Sequence, residues 1–254
     1  MAWYSVFLLP FSLLFRLITA CRNFLYEREI LKSFKSPIPT LVVGNLSVGG
    51  TGKTPMVEFL IKNLKSEVSL ASLSRGYGRK TKGFLQADGQ STANIIGDEP
   101  LQIYQNFEGR VRVFVGENRV SALEKIAKMA PDAKLAILDD AFQHRRLKGD
   151  FYCLLTPFEF PFSDDFLLPM GRLRESKHGA NRADLVVVTK CPNSISLEQK
   201  QRMKMAVAPY LRSGIPVFFS KIGYGDPYSI SHGKSFSNSV ILVSGLANDR
   251  PFVN

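Results

Sequence analysis

Thr40-Leu41-Val42-Val43-Gly44-Asn45-Leu46-Ser47-Val48-Gly49-Gly50-Thr51-Gly52-Lys53-Thr54 is the stretch that decides how this chain folds. A short apolar run at 40–43 leads into a glycine-rich loop ending in Lys-Thr, and a helical pattern follows over 54–64. Strand, glycine-rich loop and helix, in that order, form the context in which such a loop wraps a phosphate. Small residues let successive backbone N–H groups curl around phosphate oxygens, and the helix N-terminus adds its positive end. Ser47, Val48, Gly49, Gly50, Thr51, Gly52, Lys53 and Thr54 are therefore expected to bind a nucleoside triphosphate. Lys53 is expected to reach the β- and γ-phosphates, and the Thr54 hydroxyl to hold Mg²⁺. Ser47 stands where a P-loop usually has its first glycine. The competing reading is a glycine-rich turn ahead of an ordinary helix.

Working outward, apolar β-branched segments recur near 40–44, 68–73, 111–115, 135–138, 151–155, 185–189, 217–220 and 240–243. Helical patterns lie between several of them, at 54–64, 98–106, 117–129 and 197–211. That alternation implies an α/β fold with a mostly parallel sheet covered by helices on both faces. Residues 158–170 and 224–238 read as long loops, the second as the start of a smaller lobe. The expected organisation is an N-terminal membrane-associated segment (1–36), a P-loop core (37–215) and an incomplete C-terminal lobe (216–254).

The 254 residues suffice for a large core, and 45% hydrophobic with 22% charged residues is ordinary for a globular protein. A net charge of +11 is not ordinary, and it points to a polyanionic partner: nucleic acid, an anionic membrane surface or a phosphorylated substrate. Cys21, Cys153 and Cys191 are widely spaced and offer no CxxC pair, which suits a reducing compartment. His144, His178 and His232 lack the spacing of a zinc site.

Residues 1–15 carry no charged side chain and are rich in Trp, Tyr, Phe and Leu. As a helix they span about 22 Å, short of the ~30 Å hydrocarbon core of a bilayer. Pro10 is expected to kink that helix. Arg16, Arg22, Arg28, Lys32 and Lys35 follow. The pattern suits an interfacial anchor with cations among anionic headgroups, and a buried core helix is the rival reading. Ile18-Thr19-Ala20-Cys21 looks like a lipoprotein cleavage site, but the basic leader that should precede it is absent.

Five further clusters carry chemistry. Leu135-Ala136-Ile137-Leu138-Asp139-Asp140 is an apolar strand ending in carboxylates, which would set Asp139 or Asp140 beside the P-loop where Mg²⁺ sits. Gln143 and His144 follow directly, near the same edge. Gly97-Asp98-Glu99-Pro100 opens a helical pattern; Asp98 there is either an N-terminal cap or a base for a substrate hydroxyl. Ser74-Arg75-Gly76-Tyr77-Gly78-Arg79, Gly116-Glu117-Asn118-Arg119 and Gly171-Arg172-Leu173-Arg174 place cations after strand ends, where parallel sheets bind ligands.

Together these motifs resemble the tetraacyldisaccharide 4′-kinases, from the N-terminal apolar segment through Val43–Pro55 to Leu138-Asp139-Asp140-Ala141-Phe142-Gln143-His144 and Ser244-Gly245-Leu246-Ala247. In that family the P-loop is itself of the Val-Gly-Gly-x-Gly-Lys-Thr-Pro type. The resemblance implies transfer of the ATP γ-phosphate to the 4′-hydroxyl of an acylated glucosamine disaccharide 1-phosphate, an anionic lipid, at the cytoplasmic face of the bacterial inner membrane. It implies Asp98 as general base, Lys53 and His144 in the catalytic neighbourhood, and Thr54, Asp139 and Asp140 around Mg²⁺. Arg75, Tyr77, Arg79, Glu99, Arg119, Gln143 and Arg174 are expected at the substrate. Family members continue past the Ser-Gly-Leu-Ala strand into an Asp-His-His segment whose histidine supports the base. No residue present matches that histidine, and His144 and His232 are not its substitutes.

A second class of function is a membrane-associated nucleotide switch or metallochaperone-type GTPase, suggested by Thr189-Lys190 after a strand. The Asp that should read guanine two residues later is Pro192, which argues against it. Nucleic-acid binding rests on net charge alone, without an aromatic stacking platform, and is not expected.

Overall fold

The structure, a computed structural model, describes residues 7–223. In chain order its elements are α1 (Leu9–Glu27), β1 (Phe34–Lys35), β2 (Thr40–Asn45), α2 (Lys53–Leu64), β3 (Leu70–Ser74), β4 (Leu85–Gln86), α3 (Ala93–Ile96) and α4 (Asp98–Asn106). They continue with β5 (Arg112–Val115), α5 (Arg119–Met129), β6 (Leu135–Asp139), β7 (Leu147–Lys148), β8 (Phe151–Pro157), β9 (Leu185–Thr189), α6 (Leu197–Val207) and β10 (Val217–Phe219). The main sheet has eight strands in the order β10-β9-β8-β2-β6-β3-β5-β4. Every neighbouring pair is parallel except β4 with β5. β1 and β7 make a separate parallel pair.

Strands buried on both faces read as continuous apolar runs, and the two-residue period then assigns each side chain to a layer. Val43 packs with Val57 and Ile61 of α2 and Ile103 of α4. Its neighbour Val42 packs with Leu123 and Ile126 of α5. In β8 and β9 the split repeats: Cys153, Leu155 and Val187 join the first layer, while Leu154, Val186 and Val188 pack with Met203 and Val207 of α6. Helices thus cover both faces, as the alternation of strands and helices requires.

Boundaries moved for local reasons. The helix expected at 117–129 starts at Arg119, because the Asn118 side chain caps it by accepting a hydrogen bond from Ser121 N at 3.2 Å. The helix expected at 197–211 ends at Val207 and gives way to a 3₁₀ turn, Ala208–Tyr210, around Pro209, whose ring cannot continue an α-helix. The two-residue strands and α3 are too short to leave a periodic signal. β10 carries the sheet past the boundary expected between 215 and 216, and the compact unit runs to Ile222. The strand expected at 240–243, the loop at 224–238 and nearly all of the C-terminal lobe lie outside the described residues.

The N-terminal helix departs most from expectation. Pro10 does not kink it; it sits in the first turn, where its missing N–H costs nothing. Nor is α1 a core helix. Phe11, Leu13, Leu14, Leu17, Ile18 and Phe24 are each more than half exposed, whereas Ser12 and Thr19 are buried. Ser12, Thr19 and Asn23, spaced seven and four apart, share one helical face, so α1 turns its polar stripe to the protein and its apolar side outward. No helix among the described residues is long and apolar enough to cross a membrane.

Candidate active site

The 46–54 loop leaves the centre of the sheet between β2 and α2. Gly52, with φ of 82°, turns the chain into α2 through the left-handed region that glycine adopts without strain. The loop is braced from both sides. Thr189 Oγ1, at the end of β9, donates to the Thr51 carbonyl at 2.8 Å. On the other flank Val48 N donates to Arg172 O and Arg174 N to Leu46 O, both at 2.8 Å. Lys53 opens α2, and its Nζ lies 3.9 Å from Asp140 Oδ1.

Parallel pairing puts Val43 opposite Asp139, so β6 ends beside the loop, as the paired carboxylates foretell. Arg174 grips Asp140 with both terminal nitrogens, at 3.0 and 2.7 Å, and also bonds the Asn45 carbonyl at 3.0 Å and the Asn45 side chain. Burial raises the Asp140 pKa, but the Arg174 hydrogen bonds and the Lys53 charge outweigh it and hold the carboxyl below its ordinary value. Asp139 is the opposite case. Only 2% exposed, it is pushed up to about 7 by burial and by Glu99, against the pull of Lys53 and Arg119. Its Oδ1 is buried without a hydrogen-bond partner among the described residues.

Lys53, Arg75, Tyr77, Glu99, Arg119, Asp139, Asp140, Gln143, His144 and Arg174 line one cleft of about 610 Å³, together with Ser74, Gly76 and Glu117. The close approach that assembles it runs through glycine: a Cβ on Gly97 (φ 94°) would meet Tyr77 O at 2.8 Å. That contact seats the start of α4 against the basic turn after β3. Thr54 Oγ1 donates to Glu99 Oε1 at 3.1 Å, joining the loop to α4. Arg119 is buried and its pKa is drawn down to about 10 by desolvation, though Asp139 and Asp140 pull it up. Burial, with Arg119 nearby, also drives His144 down to about 4, so its imidazole is neutral at pH 7.

Of the expected catalytic and substrate residues, two stand apart. Asp98 is exposed on the first turn of α4 and does not line the cleft, although Glu99 beside it does. Arg79 turns away from the cleft: its side chain is buried in an ion pair with Glu117 and donates to Gly83 O at 2.6 Å, bracing the turn after β3. Gln143 borders the cleft, yet its amide nitrogen is committed to Asn45 O at 2.8 Å and Glu175 Oε1 at 3.0 Å. No sequence pattern marks Asn45, Thr189 or Glu175 as supports. Their signal is only position, at strand ends and next to Arg174.

Among the described residues no cluster of three or more His, Cys, Asp or Glu side chains could hold a metal ion alone. A hydroxyl at Thr54, one bare oxygen on Asp139 and the neighbouring Asp140 instead suit a cation that brings phosphate oxygens with it.

A profile of the tetraacyldisaccharide-1-P 4′-kinase family matches residues 4–254. Tetraacyldisaccharide 4′-kinase of Flavobacterium johnsoniae is 45% identical over 250 residues, covering 96% of this chain and 73% of the relative. That of Cytophaga hutchinsonii is 44% identical over 255 residues, covering 100% of this chain and 72% of its own. Among solved structures, LpxK from Aquifex aeolicus in complex with ATP is 28% identical with a TM-score of 0.67, over 93% of this chain and 86% of that one. The sheet order, the braced loop and these likenesses agree, and the chain belongs to the tetraacyldisaccharide 4′-kinase family.

Proposed function

We propose that this chain transfers the γ-phosphate of ATP to the 4′-hydroxyl of an acylated disaccharide 1-phosphate. The observation that carries the reading is the meeting of Lys53, Asp139, Asp140 and four arginine- or tyrosine-bearing positions (Arg75, Tyr77, Arg119, Arg174) in one cleft at the carboxyl edge of the sheet. Backbone N–H groups of 48–54 and Lys53 hold the phosphates. Thr54, Asp139 and Asp140 would hold Mg²⁺, which would supply charge neutralisation on the phosphoryl oxygens. Asp98 takes the proton of the acceptor hydroxyl as its oxygen bonds to the γ-phosphorus; the bond to the β-phosphate oxygen breaks and ADP leaves. Arg75, Arg119 and Arg174 supply fixed positive charge where negative charge spreads in the transition state. Neutral His144 adds no charge of its own and is placed to offer a hydrogen bond, its Nε2 being without a partner among the described residues.

The lipid acceptor is met at a membrane surface. The outward apolar side of α1, with Arg16, Arg28, Lys32 and Lys35 exposed along and after it, supports seating in the headgroup region of an anionic leaflet. The test is transfer of γ-labelled phosphate from ATP to tetraacyl disaccharide 1-phosphate in detergent micelles. Label in a doubly phosphorylated disaccharide is the expected product. ATP bound with no label transferred sinks the reading.

A further inference from the structure

One chain of hydrogen bonds runs from the outward helix to the floor of the cleft. At its start Asn23 Nδ2, on the inward face of α1, donates to Glu175 Oε2 at 3.1 Å. Glu175 is fully buried; its other oxygen accepts from Arg182 at 2.7 Å and from Gln143 at 3.0 Å. Gln143 passes the link to the Asn45 carbonyl, which Arg174 also holds while it grips Asp140. A second tie runs alongside, from Ser12 Oγ to Leu167 O at 3.1 Å. Between the two ties lies the segment 167–175, whose far side is paired to the phosphate loop through the Ser47–Leu173 bridge and the bonds at Val48 and Arg174. The segment is therefore tied to α1 on one side and to the loop on the other.

Among the described side chains Asn23 is the one recorded partner of Glu175 Oε2. Removing it strips one oxygen of a buried carboxylate, and such a group re-pairs with whatever donor is nearest. The donors at hand are Gln143 and Arg182, and any turn of Gln143 toward Oε2 loosens its bond to Asn45 and hence the seat of Arg174.

We infer that Asn23 is a positioning residue: through Glu175, Gln143 and Asn45 it transmits the seating of α1 on an anionic lipid surface to the Arg174–Asp140 clamp. The inference rests on the lipid-facing role given to α1 above, and the two are separable by experiment. Hydrogen–deuterium exchange is followed with and without phosphatidylglycerol–phosphatidylethanolamine vesicles, alongside vesicle cosedimentation. In the unaltered chain, vesicles should slow exchange in α1 and also in 167–176, by about fivefold or more, the lower end of ordinary coupling between sites. In Asn23→Ala, cosedimentation and slowing in α1 should persist while slowing in 167–176 is lost. Turnover per bound nucleotide should fall in the same variant while the KM for ATP stays within about twofold. That split separates lost geometry from lost fold. Ser12→Ala cuts the parallel tie and repeats the comparison without touching Glu175; it should weaken the response at 167–170 first. Equal slowing at 167–176 in Asn23→Ala and the unaltered chain overturns the inference. So does an unaltered chain in which α1 responds and 167–176 does not. If the unaltered chain fails to cosediment and neither region responds, the lipid-facing role falls, and the coupling with it.

Discussion

Two acidic walls, one inside the cleft and one that reaches it through Glu99 alone, are built in opposite ways. At the end of β6, Asp139 is anchored by strand pairing and Asp140, just after it, by the grip of Arg174, with Lys53 and Arg119 close by. At the start of α4, Asp98 and Glu99 are exposed; Glu99 touches Thr54, and the Asp98 carboxylate has no hydrogen bond or ion pair among the described residues. The first wall cannot follow a ligand. Its charges are arranged before anything binds, which is what makes a fixed field effective on a transferring phosphoryl group. The second wall stands on the first turn of a helix seated by Gly97, with carboxylates reaching into solvent. It is suited to a partner that arrives, and the base proposed there would tighten its geometry only when the acceptor hydroxyl is present.

The largest break should come from the rigid wall. Lys53→Ala removes the cation proposed to hold the phosphates, and transfer should drop about 10³-fold, measured as labelled lipid per minute. Loss of transfer with the fold intact, seen as an unchanged melting temperature, places the effect in the cleft. On the open wall, Asp98→Asn should lower kcat about 10²-fold or more while ATP affinity stays within about twofold. An equal loss of ATP affinity would make Asp98 a helix-terminal support instead and erase the contrast between the walls. Arg174→Lys keeps the charge but not the two-pronged grip on Asp140, and about a tenfold loss in kcat/KM is expected.

The smallest effect is a pH signature. Asp139 has a folded pKa of about 7 against an ordinary 3.8, so between those values the folded chain holds a proton the unfolded chain has lost. Its contribution to stability therefore falls as pH rises through that window. His144 is depressed to about 4 from 6.5, so its contribution falls as pH drops from 6.5 toward 4. The two slopes oppose each other. Asp139→Asn should raise the melting temperature of the nucleotide-free chain at pH 8 relative to the unaltered chain, and the gain should shrink toward pH 4. His144→Gln should flatten the loss of stability between pH 6.5 and 4. If neither variant changes the slope, the burial ascribed to the rigid wall is wrong.

Much of this was legible beforehand, and the reason is physical. A phosphate loop and a carboxylate-ended strand are local patterns, and a parallel sheet brings strand ends to one edge whatever the loops do. Val43 beside Asp139 follows from that rule. Arg79 and Arg174 show what is not local. Both sit in glycine-rich basic loops, yet one is buried against Glu117 and the other faces Asp140. Which cation meets the ligand depends on tertiary partners that no spacing records. In α1 the apolar content was plain but its direction was not, because overall hydropathy is blind to which side faces inward. The signal that does report direction is the stripe of Ser12, Thr19 and Asn23 at helical spacing. The cap reading of Asp98 fails in the fold, because Gly97 holds the N-cap position, Asp98 opens the helix, and no side chain caps it.

The outward stripe on α1 also governs how the chain behaves as a colloid. Large apolar side chains in water attract their like on other copies, while a net charge of +11 pushes copies apart. At about 0.01 M salt that repulsion reaches roughly 30 Å, and at 0.15 M only about 8 Å. Added salt should therefore drive self-association rather than relieve it, until an amphiphile covers the stripe.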